Sequence, residues 1–194
     1  MIPAFNHSHV LPPYVGDAHS SVTASPYEVD ALELVTRFAT TPSRCALLKG
    51  LLDYRSAWRT LGFTDGFQWI DGSFVEDVEA HASRPPDDID VVTFAQQPLG
   101  MSVPEIQAMM RAHPETFDRA QCRTRYGCDG YLVRLNLPAH KLIVEVTYWY
   151  GLFSHRRGDQ VWKGMLKIPL LSNDENAMIR LNEARQEGAG DVAA

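Results

Sequence analysis

The chain has 194 residues, 45% of them hydrophobic, enough for one well-cored domain. A formal net charge of -6 excludes a protein that coats nucleic acid nonspecifically, since that needs a broad basic face to displace counterions, but it leaves room for a local basic groove. No apolar run approaches the roughly 20 residues that span a bilayer, and the opening MIPAFNHSHV lacks the basic and apolar segments of a signal peptide, so no membrane partner and a cytoplasmic location are expected. The cysteines, Cys45, Cys122 and Cys128, form no CxxC pair and are odd in number, which favours reduced packing residues over a zinc knuckle or a disulfide set.

Residues 1–24 carry Pro3, Pro12, Pro13 and Gly16 without helical or strand periodicity, and predict an extended arm on the surface. Ser25-Pro26-Tyr27-Glu28 supplies an N-cap, a first-turn proline and an acid, which predicts a helix to about Ala39. Thr41-Pro42 opens a second helix, in which Leu48, Leu51, Leu52 and Trp58 recur at helical spacing before Gly62. Phe67 to Asp71 reads as a strand broken by Gly72-Ser73, and Asp88 to Phe94 as the next. Ser102 with Glu105 starts a third helix to about Arg111, and Pro114 a fourth to about Arg123. A strand from Asp129 to Leu135 follows, then a long helix, AHKLIVEVTYWYGLFSHRR, behind Asn136 and Pro138. Gly164 to Leu170 reads as a fourth strand, and Asn173 or Asp174 caps a last helix to about Arg185. No repeat or low-complexity linker divides this order. The expected organisation is an arm over 1–24, one α+β domain over 25–186 with helices packed on a small mixed sheet, and a flexible tail over 187–194.

One stretch, WIDGSFVEDVEAHASRPPDDIDVVTF, places three acids, Asp87, Asp88 and Asp90, at the mouth of an otherwise hydrophobic strand. Desolvating an ionised carboxylate there costs several kcal/mol unless something compensates it. Strand side chains alternate faces, so Asp88 and Asp90 project together, about 6.5 to 7 Å apart at the backbone, while Ile89, Val91 and Thr93 point into packing. Paired carboxylates suit a divalent cation, and Mg²⁺ characteristically takes one or two of them with phosphate oxygens and water. Gly72-Ser73, directly after a strand, permits close approach of backbone to a ligand and can hold phosphate. Strand, Gly-Ser, then a strand with Asp-x-Asp is therefore more specific than either half.

That pattern resembles the DNA polymerase beta superfamily of nucleotidyltransferases. MIPAFN, LPP, WIDGSF, DDIDVV, YGCDGYLV and YWYGLFSHRRGDQVWKG further resemble an uncharacterised bacterial family of small nucleotidyltransferase-like proteins, across nearly the whole chain. The resemblance implies a nucleotidyltransferase (polymerase beta-like) fold, dependence on Mg²⁺ with Mn²⁺ as the other candidate, and transfer of an NMP from an NTP. It names no acceptor: an RNA or tRNA end, a protein hydroxyl and a small molecule all stand, as does a cognate partner protein in a toxin–antitoxin or phage-defence setting. It also implies a third carboxylate from a neighbouring strand, a place that Asp129 fits, with Glu145 of the following helix in reserve. Asp88 and Asp90 would then hold the metal that bridges the triphosphate, and Asp129 would complete the site and serve as general base. The connection FVEDVEAHASRPPD is longer than in small members of the superfamily, and its Glu76, Asp77, Glu79 and His81 are expected to govern access. A catalytically weak nucleotide- or partner-binding module of the same fold is the competing expectation.

His155, Arg156 and Arg157, with Lys163, form the densest basic cluster. Two uses stand: contacts to a triphosphate or an RNA acceptor, which adds Arg156, Arg157 and Lys163 to Gly72 and Ser73 as nucleotide-binding candidates, or compensation of a helix C-terminus. Tyr148, Trp149, Tyr150 and Phe153 read as core before base-stacking. His7-Ser8-His9 has the spacing of strand ligands but lacks a third partner for zinc.

Overall fold

The structure, a computed structural model, describes residues 1–17 and 23–190. Five strands, β1 (Tyr27–Glu28), β2 (Gly66–Asp71), β3 (Ile89–Ala95), β4 (Cys128–Arg134) and β5 (Leu166–Pro169), form one mixed sheet in the order β1-β5-β2-β3-β4. β2 runs antiparallel to both β3 and β5, whereas β3 pairs with β4 and β1 with β5 in parallel. The α+β mixture with a small mixed sheet is thus present.

Alternation along β3 assigns the faces. Ile89, Val91 and Ala95 enter the larger core, which α1 (Ala31–Phe38), α2 (Pro42–Thr60), α6 (Arg119–Tyr126) and α8 (Asp174–Gly190) cover. Val92 and Phe94 point to the opposite face, where Trp149 and Phe153 of α7 (Ala139–Phe153) pack on them with Trp69 and Val133. These two α7 aromatics are core residues, while Tyr148 stays 59% exposed. Three short helices, α3 (Val78–Ala82), α4 (Val103–Ala112) and α5 (Pro114–Phe117), fill the connections.

Several helix starts follow local chemistry. The Thr41 hydroxyl accepts from the Arg44 N–H at 3.2 Å, and Glu105 accepts from the Ser102 N–H at 2.7 Å. Ser25-Pro26 does not open a helix: Tyr27 is buried and Glu28 exposed on β1, and Asp30 caps α1 by accepting from the Glu33 N–H at 2.7 Å. Period-two burial against β5 overrides the capping pattern. The fourth predicted helix is two, because Asp118 breaks it and caps α6, accepting from the Gln121 N–H at 3.0 Å. α7 stops at Phe153, short of the basic cluster, and α8 continues to Gly190, beyond Arg185 and into the expected tail. Residues 18–22 of the expected arm and 191–194 of the tail lie outside the described residues.

The described part of the arm is anchored to the domain at a few buried side chains. Ile2, Val10 and Leu11 are buried, the Gly164 N–H donates to Leu11 O at 2.8 Å, and the Tyr27 hydroxyl donates to Pro12 O at 2.7 Å. Proline removes donors and periodicity but not hydrophobicity, and each such buried side chain contributes about 1.5 to 3 kcal/mol. Among the described residues no helix is long and apolar enough to cross a membrane.

Candidate active site

Register places acids side by side on the α7 face. Asp71 of β2 pairs with Asp90 of β3, and Asp90 with Asp129 of β4, so the aspartates form a row across adjacent strands, each step about 4.8 Å. Asp88 lies two residues before Asp90, on the same face. Asp88, Asp90 and Asp129 each offer an oxygen within 4.8 Å of the others, and among the described residues no other group of three or more His, Cys, Asp or Glu side chains gathers in this way.

Their charges are met unequally. Arg119 grips Asp129 with two hydrogen bonds, Nε to Oδ1 at 2.5 Å and Nη2 to Oδ2 at 2.6 Å, and the Tyr131 hydroxyl adds a third at 3.2 Å. Arg123 stands 3.1 Å from Asp88. Asp90 has no ion-pair partner among the described residues. Burial first, then the charges of Asp88 and Asp129, push the Asp90 carboxyl up to about 6. Burial likewise raises Asp88. Asp71 is pushed up to about 7 by burial, against the pull of Lys163. Lys163 Nζ stands 3.2 Å from Asp71 Oδ1, but not in line to donate, so that buried oxygen is left without a hydrogen bond.

Gly72 adopts φ +85°, and a Cβ there would lie 2.6 Å from Asp90 Oδ2. Glycine is therefore required twice, for the left-handed backbone and for the close approach of the turn to the carboxylate. Gly130, beside Asp129, is required for packing, since a Cβ would meet the Tyr54 hydroxyl at 2.5 Å.

A cleft of about 330 Å³ opens over this row, and Gly72, Ser73, Asp88, Asp90 and Asp129 line it. Arg156, Arg157 and Lys163 reach it as well. Two of these cations are already committed and are not free phosphate contacts. Lys163, 3% exposed, donates to Glu76 Oε1 at 2.7 Å and to Gly72 O at 3.2 Å. Burial alone would lower its pKa, but Asp71 and Glu76 outweigh that and hold it raised. Arg156 is paired with Asp159 and donates to Ser8 O at 2.7 Å. Arg157 is exposed and without an ion-pair partner among the described residues. His155, just past α7, brings Nδ1 to 3.2 Å from Gly151 O, at the helix end.

Glu145 is excluded as the third carboxylate, because it faces a separate groove with Gln97, Leu132 and Leu137. His9 meets Asp77 at 3.3 Å while His7 is exposed, and no three-ligand set forms there. The connection after Ser73 is not an open lid: Ser73–Val75 is a 3-10 turn, α3 follows, and Arg44 holds both, donating to Phe74 O and Glu76 O at 2.7 Å and forking onto Glu79. Sequence reasoning missed Asp71, Arg119 and Arg123. Asp71 shares the parity of Trp69, and Arg119 and Arg123 share an i,i+4 spacing, which were the available signals.

An all-carboxylate oxygen set suits a hard divalent cation, and Asp90, without an ion-pair partner among the described residues, leaves negative charge for one to neutralise. A family profile matches residues 3–169. The chain belongs to DUF6932, a family of unknown function. The region shared with DUF6932 runs from the arm to the end of β5 and takes in every residue of the cleft, leaving α8 outside. No curated protein and no solved structure matches the chain.

Proposed function

We propose that the protein is a Mg²⁺-dependent nucleotidyltransferase that moves an NMP from an NTP to an acceptor hydroxyl, on a sheet of the nucleotidyltransferase type. The observation that carries this reading is the convergence of Asp88, Asp90 and Asp129 beneath a cleft whose wall is the Gly72-Ser73 turn. Asp90 would hold the cation from β3, Asp88 from the residue just before that strand, and Asp129 from β4. Bound there, Mg²⁺ would neutralise triphosphate charge and lower the pKa of the attacking hydroxyl. Arg157 and the Ser73 hydroxyl, which makes no hydrogen bond among the described residues, are left to orient phosphate oxygens. Asp129 accepts the proton as the acceptor oxygen bonds to the α-phosphorus, the bond from that phosphorus to the β-bridging oxygen breaks, and pyrophosphate leaves.

The test is incubation with each α-³²P-labelled NTP, Mg²⁺ and lysate. Label moved to RNA, protein or a small molecule, and lost in Asp88→Ala with Asp90→Ala, is the expected result. Nucleotide binding with no transfer would instead establish a second reading, a binding module, which the arginines already seated on Asp129 and Asp88 favour.

A further inference from the structure

Arg119 and Arg123 stand one turn apart on α6 and reach different aspartates of the same cluster. The acids are the better covered partners: Asp129 is buried, its side chain 4% exposed, and Asp88 is part-buried, its side chain 17% exposed. The arginines are the open ones, with 59% and 53% of their side chains exposed. Beyond these carboxylates, the Arg119 guanidinium lies over the Tyr131 ring, 5.4 Å from its centroid, and Arg123 has no second ion pair among the described residues. Arg119 engages both Asp129 oxygens and Arg123 one oxygen of Asp88, so a divalent cation that approaches those oxygens from the guanidinium side competes with them for the same lone pairs. The fixed partner is therefore the carboxylate, and the movable one is the arginine.

We propose that Arg119 and Arg123 are displaceable counter-ions, which occupy Asp129 and Asp88 until a divalent cation takes those oxygens and sends both guanidiniums out into the cleft. This rests on the reading of the aspartates as a cation site, and adds that the site is held shut by α6. Apparent cation affinity is then reduced by the fraction of molecules in which the arginines are seated.

The experiment uses the full chain. Mn²⁺ binding followed by electron paramagnetic resonance is expected to be about tenfold tighter in the Arg119→Gln, Arg123→Gln double variant than in the wild type. Losing positive charge would also tighten a cation without any displacement, so the wild type carries the deciding measurement. Its Arg119 Nε–H resonance, identified by its absence in Arg119→Lys, should shift and exchange faster with water when Mg²⁺ saturates the protein. The Arg55 Nε–H resonance, buried against Asp174, should not move. An unmoved Arg119 signal in protein that has bound the cation, or equal Mn²⁺ affinity in wild type and variant, overturns this inference and leaves the cation site standing. Absence of Mn²⁺ binding in both proteins overturns the two together, and binding by the variant alone, with the wild type empty at saturating Mg²⁺ and its Arg119 signal unmoved, overturns the displacement.

Discussion

Asp90 is partly buried, sits between two other aspartates and lacks a cation of its own, so its ionisation is the least compensated in the cleft. Its carboxyl, raised to about 6, and that of Asp71, raised to about 7, both exceed the ordinary 3.8 of an unfolded chain. The folded protein therefore keeps protons that the unfolded chain releases. The stability this confers is full below about pH 4 and is lost as pH rises through 6 to 7. A divalent cation binds the deprotonated acids, so its stabilisation appears where the protons are gone. Thermal melts should show a larger Tm gain from Mg²⁺ at about pH 7.5 than at about pH 5. Asp90→Asn should raise the Tm of the cation-free protein, by relieving like-charge repulsion, and erase the Mg²⁺ gain. A Mg²⁺ gain that persists in that variant would remove Asp90 from the site.

At the scale of elements, the turn between β2 and β3 is held from three sides. Arg44 of α2 grips it from below, Lys163 ahead of β5 binds Glu76 and Gly72, and the arm's His9 carbonyl accepts from the Asp77 N–H at 2.9 Å. The acids expected to govern access are thus spent internally, Glu76 on Lys163, Asp77 on His9 and Glu79 on Arg44. Arg44→Leu leaves the Phe74 and Glu76 carbonyls buried without donors and should cost about 2 to 4 kcal/mol in urea unfolding, with Mn²⁺ binding weakened as the turn loosens. A change under about 0.5 kcal/mol would show that the turn holds itself. Asp88 and Asp90 were legible in the sequence because strand parity is local, whereas Asp129 entered only through the family resemblance, which implies a third carboxylate from a neighbouring strand. Asp71 was not, since a strand-terminal acid before Gly-Ser looks like a turn residue until the β2–β3 register sets it beside Asp90. Lys163 misled for a related reason: its partners lie 87 and 91 residues away, and no local pattern announces them. Arg119 and Arg123 face Asp129 and Asp88 only once α6 is packed beside β4, a contact that no local pattern announces.

Over the whole molecule, one buried cation joins the layers. Arg55 of α2 is fully buried, donates to both oxygens of Asp174 at 2.8 and 2.9 Å, to Gln68 of β2 at 2.9 Å and to Pro169 O of β5 at 2.8 Å. Breaking such a pair strands its partner, so Arg55→Met should cost about 3 to 5 kcal/mol by chemical denaturation, softened by Arg59, which also reaches Asp174. A neutral result would mean that methionine packing replaces the pair.

The joining of Leu11 to Gly164 and of β1 to β5 also orders events during synthesis. The arm and β1 wait for partners that are made far later in the chain, a long-range closure that slows folding. Until Lys163 emerges, Glu76 has no buried ammonium to sit against and the Gly72 carbonyl no donor. β5 is in this sense a clasp: the nascent chain carries an unfinished cleft until it closes.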